Sequence, residues 1–217
     1  MIGFFLISNL WAQCPVLDIT KSGVLSDPDL NEISGIQVYK EHLWVHNDSG
    51  DRPRVFLLST NGERERIVNI PSAKAKDWED ITLLREPTIF FLGDVGDNLE
   101  RRSEVEVYLY NPSSNQTQTM TLQYETGPKD VEALAIDPVH KDLYLMSKGR
   151  GGVVHLFQKK FPHVKGAYRL ESVHSFPIPS QDGLNPFRIT AMDISPKGDR
   201  IAVRNYFQLF LWSREAV

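Results

Sequence analysis

Asp77-Trp78-Glu79-Asp80-Ile81 is answered further along by Gly93-Asp94-Val95-Gly96-Asp97-Asn98, and the fold is read outward from this pair. Between them lie a short apolar run, a break at Arg85-Glu86-Pro87 and a second apolar run from Thr88 to Leu92. That is the pattern of two strands joined by a tight turn. In an antiparallel hairpin the start of the first strand lies beside the end of the second, so Glu79 and Asp94 are expected to face each other at its open end.

The opening recurs along the chain. Glu32-Ile33-Ser34-Gly35-Ile36, Glu79-Asp80-Ile81-Thr82-Leu83, Glu132-Ala133-Leu134-Ala135-Ile136 and Thr190-Ala191-Met192-Asp193-Ile194 align with one another. Each is followed by a turn and a second apolar strand: Leu43-Trp44-Val45, Ile89 to Leu92, Leu143 to Met146 and Ile201-Ala202-Val203. A third strand follows in every unit: Val55 to Leu58, Val105 to Tyr110, Val153 to Phe157 and Phe207 to Trp212. A fourth is expected in the first three, near Glu65 to Ile70, Thr119 to Tyr124 and Tyr168 to Ser175. The turns are marked by Asp137-Pro138 and by Ser195-Pro196-Lys197-Gly198-Asp199.

Four short antiparallel strands repeating every ~50 residues predict an all-β chain, a β-propeller of four-stranded blades set around a channel. Four blades are visible. The fourth lacks an outer strand, which a strand at Val16 to Leu25 could supply by closing a four-bladed ring. The preferred expectation is a ring of five or six blades, incomplete at the C-terminal end, with one propeller domain over 14–217.

Composition narrows the function. With 217 residues, 41% of them hydrophobic, and a net charge of −4, the chain can form a sizeable core and offers no clustered basic face for nucleic acid. Cys14 is the only cysteine, which excludes an internal disulfide and a cysteine-based zinc site. Met1 to Ala12 is apolar and free of acids, so 1–13 reads as a signal-like segment and the protein as secreted or periplasmic. The run is too short to span a bilayer, and a monomer is expected.

The inner strands of a propeller line its channel, so Glu32, Glu79, Glu132 and Thr190 should converge on one face. Two copies of Asp-x-Gly-Asp, at Asp48 to Asp51 and at Asp94 to Asp97, return to the same face, with Ser147-Lys148-Gly149-Arg150 and Asn205 at the matching places. So many carboxylates cannot all stay ionised at close range without a positive partner. Calcium suits all-oxygen ligands, which makes Glu32, Asp48, Glu79, Asp94 and Glu132 the candidate metal ligands. Two other readings stand beside it. In one, Lys148, Arg150, Arg188 and Arg204 neutralise the acids in a salt network. In the other, the glycines only form turns and the glutamates accept hydrogen bonds between blades.

Asn47, Trp78, Asp97, Asn98, Lys148, Arg188, Arg204 and Asn205 are the candidate ligand contacts around this face. Trp78 could stack on a sugar or pack between blades. His46, at the end of a second strand, is the one candidate proton acceptor, or a structural histidine. The chain then reads either as a binding module for a small molecule, carbohydrate or protein, or as a metal-dependent hydrolase of an ester, lactone or phosphoester at the channel mouth.

The double acidic motif, together with Asn47-Asp48-Ser49-Gly50 and Arg101-Arg102, resembles a family of largely uncharacterised secreted bacterial β-propellers, from about Glu32 to Trp212. That resemblance implies a further blade beyond this chain. The arrangement is more distantly similar to phytase-like esterases and gluconolactonase-type propellers, which implies calcium in the channel and hydrolytic chemistry.

Overall fold

The computed structural model describes residues 24–177 and 188–214. Its strands form four sheets. The first holds β1 (Ile33–Tyr39), β2 (His42–Asn47), β3 (Arg54–Leu58) and β4 (Arg64–Asn69) in chain order. The second runs through β5 (Trp78–Leu84), β6 (Ile89–Asp94), β7 (Val105–Asn111) and β8 (Gln116–Tyr124). In the third, β9 (Val131–Ile136), β10 (Leu143–Ser147) and β11 (Val153–Lys159) are followed by β13 (Ser172–Pro177). The fourth is β14 (Ile189–Ile194), β15 (Arg200–Asn205) and β16 (Leu209–Ser213). Consecutive strands within these four blades are antiparallel. β1 packs on β5, β5 on β9 and β9 on β14, so the four first strands stand side by side around the axis of a β-propeller. No α-helix occurs among the described residues, and none of them forms a helix long and apolar enough to cross a membrane.

The core lies between blades. Trp44, Val55 and Leu57 of the first blade meet Trp78, Phe90 and Leu92 of the second, with Trp44 stacked on Phe90 at 4.1 Å between ring centroids. Phe91, Val107 and Met120 meet Leu134, Leu145 and Phe157 in the next interface, and Ala133 and Ala135 meet Met192 and Val203 in the third. This explains why β5 is buried along its whole length. With side chains alternating between faces, Ile81 and Leu83 enter the first interface while Asp80 and Thr82 face the third blade. There they accept the Leu134 and Ile136 N–H groups at 2.9 and 3.2 Å.

One expected strand divides. The stretch Tyr168 to Ser175 breaks at Glu171 into β12 (Gly166–Leu170) and β13. β12 leaves the third blade and pairs in parallel with β8, Gly166 opposite Met120 and Leu170 opposite Tyr124, making the second sheet five-stranded. Leu170 explains the detour, because it is buried in the interface between these two blades. β13 then returns to β11. The first blade ends instead on β4, whose Arg64, Glu65 and Arg66 are exposed, along an edge that pairs with no further strand among the described residues. Of the proposed strand Val16 to Leu25, only Val24 and Leu25 lie within the described residues, and they are not in a strand. The signal-like segment lies outside them.

Candidate functional site

Every first strand carries a β-bulge near its start. Pairing steps from Trp78 opposite Asp94 to Asp80 opposite Gly93, leaving Glu79 as the extra residue. The same slip leaves out Glu132 in β9 and Thr190 in β14, and falls at Ser34-Gly35 in β1. A bulge re-aims the side chain it carries, and in the second and third blades the re-aimed Glu79 and Glu132 come together. The register also corrects the alignment of the first blade. Ile33 pairs with Asn47 as Trp78 pairs with Asp94, so Ser34 occupies the place of Glu79, and Glu32 that of Asp77 and Asp130. Glu79 is therefore not opposite Asp94, which pairs with Trp78.

Two groups of three carboxylates result. Asp48, Asp77 and Glu79 form one, Glu79, Asp130 and Glu132 the other, and within each the ligand oxygens lie within 4.8 Å of one another. Glu79 belongs to both. It is 3% exposed, and among the described residues its carboxylate takes part in no hydrogen bond or ion pair. Space for it is made by Gly96, where a Cβ would run into Glu79 Oε1 and Asp77 Oδ2. Burial, and then the charges of Glu132, Asp48 and Asp77, raise the Glu79 pKa well above the carboxylate range. Burial and the charge of Asp48 push Asp77 up to about 6.

The surrounding acids are already paired. Asp94, fully buried, accepts the Lys76 and Asp77 backbone N–H groups at 3.2 Å and lies 2.9 Å from the Arg102 guanidinium. It fixes the backbone that carries Asp77. Asp130 accepts the Asp97 N–H on one oxygen and Arg150 Nε, at 2.8 Å, on the other. Glu132 accepts Lys148 Nζ, which lies 3.9 Å from Asp130 Oδ2. Burial opposes the Lys148 ammonium, but the hydrogen bond and charge of Glu132 prevail and raise its pKa. Glu32 is exposed and belongs to neither group.

The other candidates serve the frame. Trp78 is 1% exposed and donates its indole N–H to the Lys74 carbonyl at 2.7 Å, placing it between blades. His46 is wholly buried, edge-on to Trp78, with Nδ1 bonded to the Asn47 carbonyl and, among the described residues, no hydrogen-bond partner on Nε2. Burial lowers its pKa. Asn47 donates to the Asp29 carbonyl and to Asp51, while Asn205 accepts the Phe207 and Gln208 N–H groups. Asp97 accepts the Arg102 N–H, and Asn98 accepts from Arg150. Arg188 is half-buried and Arg204 exposed.

Asp77 and Asp130 join these two groups although the repeat alignment does not single them out. A signal for both is present, since Asp77-Trp78-Glu79 and Asp130-Val131-Glu132 share the spacing Asp-x-Glu. Aligning on Glu32 hid it.

No family model and no curated protein matches the sequence. Among solved structures, the chain is similar to one in a complex of KlAtg21 with the coiled coil of AgAtg16, at 12% identity and a TM-score of 0.46, over 85% of this chain and 53% of that one. It is also similar to a chain of the Chaetomium thermophilum polycomb repressive complex 2, at 16% identity and a TM-score of 0.45, over 84% of this chain and 37% of that one. The chain thus spans little more than half, or less, of the solved chains it matches.

Proposed function

We propose that the protein is an exported binding module whose channel end holds a calcium ion between Asp48, Asp77 and Glu79. The observation that carries this reading is Glu79, buried without a hydrogen bond or an ion pair among the described residues, close to two further acids, Asp48 and Asp77, that make no ion pair among those residues either. Two unit charges ~5 Å apart repel by about 3 kcal/mol at an effective dielectric near 20. A divalent ion removes that repulsion and gives a desolvated carboxylate a partner. Calcium is favoured because all three ligands are hard oxygens and water at the channel mouth can complete its 6–8 coordination sites. Outside the cell, where calcium is abundant, even a weak site of this kind fills.

The binding role is favoured over hydrolysis by the state of His46. The one histidine expected to take a proton is sealed behind Trp78 and tied to the Asn47 carbonyl. The cation then acts as a pin that fixes the loops presented to a partner.

Thermal unfolding with calcium titrated against chelator tests the site. Calcium at about a hundred times its Kd should raise the midpoint by roughly 5–10 °C, and Glu79→Gln should abolish the rise while melting no lower than the wild type in chelator. An unchanged wild-type midpoint over the whole titration would sink the cation reading.

A further inference from the structure

The second carboxylate group differs from the first in already holding a positive charge. Lys148, with 9% of its side chain exposed, donates to Glu132 and stands 3.9 Å from Asp130. It follows Ser147, which pairs with Val131 as Asn47 pairs with Ile33, so Lys148 occupies in the third blade the place that Asp48 holds in the first. One position of the repeat thus carries a carboxylate in one blade and an ammonium in another. Its backbone is fixed in the same manner in both. The Asp48 N–H donates to the Glu32 carbonyl, and the Lys148 N–H to the Asp130 carbonyl.

We infer that Lys148 is a built-in cation at the Glu79, Asp130 and Glu132 group, and that it limits the channel to one divalent ion, held at Asp48, Asp77 and Glu79. This rests on the cation reading above. The ammonium is a compact point charge with three donors, and it fills the oxygen cage that a second ion would need. Asp130 accepts a single donor on each oxygen, from Asp97 and from Arg150, so each keeps a lone pair that an ion could use, but Lys148 holds Glu132 and stands in the space between them. With Lys148 in place, Glu79, which belongs to both groups, serves the first alone. Lys148 is therefore a residue that sets how many ions bind.

Counting bound calcium by equilibrium dialysis at saturating concentration tests the assignment in the full chain. Lys148→Met should bind one ion more than the wild type, whereas Lys148→Arg should bind the wild-type number. Lys148→Met combined with Glu132→Gln should also return to the wild-type number, because it removes the carboxylate that the second ion needs. Circular dichroism on the same samples reports folding. If Lys148→Met folds only when calcium is added and then holds the extra ion, the assignment stands. A folded Lys148→Met with no extra ion overturns it, as does a Lys148→Met that stays unfolded at every calcium concentration. Failure of the underlying cation reading is a separate result, a wild type that binds no calcium.

Discussion

Gly96 decides how close two acids can come. Its missing side chain is the space that Glu79 Oε1 and Asp77 Oδ2 occupy, and its N–H donates to the Asp77 carbonyl at 3.2 Å. Gly96→Ala should push the two carboxylates apart. The expected outcome is loss of the calcium-dependent rise in melting midpoint, with a direct destabilisation of about 1–3 kcal/mol from overpacking. Calorimetry with and without calcium would separate the two effects, and an unaltered calcium response would show that the cation lies elsewhere. The Asp-x-Gly-Asp pattern that contains this glycine is visible in the sequence, and there Asp94 has the look of a ligand. In the fold Asp94 is taken up by Arg102 and two backbone N–H groups. A carboxylate that binds an ion and one that holds a loop look the same in a sequence, because only the surrounding donors distinguish them.

Among the elements, β5 joins the packing of the ring to the site. Its bulge turns Glu79 outward, and the next residue, Asp80, returns to the ladder facing the third blade. The Asp80 carboxylate accepts the Ile81 and Leu134 N–H groups, each at 2.9 Å. Removing it leaves two buried donors without acceptors, and an unsatisfied buried group costs about 1–3 kcal/mol. Asp80→Ala should therefore lower the urea midpoint markedly, and Asp80→Asn, which keeps one acceptor oxygen, by less. Equal losses would contradict this account of the interface. The strands themselves were legible, since Phe90-Phe91-Leu92 and Leu143 to Met146 are apolar runs bounded by turn residues. The bulges were not. A bulge adds one residue to a strand without changing its composition, so an alignment by residue type set Glu32 against Glu79, although the pairing puts Ser34 there.

At the level of the whole molecule, repeat arithmetic predicted the blades but not how they share strands. Periodicity marks a segment as extended and says nothing of which edge it will join, so β12 could not be assigned to the second blade from its sequence. Its position has a consequence for how the protein opens. In most repeat architectures each unit touches only its neighbours, and stability is a sum of local terms along the array. Here the chain leaves the third blade, adds a parallel strand to the second and comes back, so neither sheet can be dismantled without releasing the other. Native-state amide exchange should find these two sheets opening as one cooperative unit, with the first and fourth blades exchanging earlier and separately. Protection that declined evenly from blade to blade would mean that the shared strand is only lightly held. If the two sheets do open together, the acids of the site fall across that boundary. Asp77, Glu79, Asp130 and Glu132 lie inside the slow-opening unit or at its edge, and Asp48 is supplied from outside it. An ion held there as proposed would then lose its first-blade ligand first, and would leave by that side while the rest of its cage was still folded.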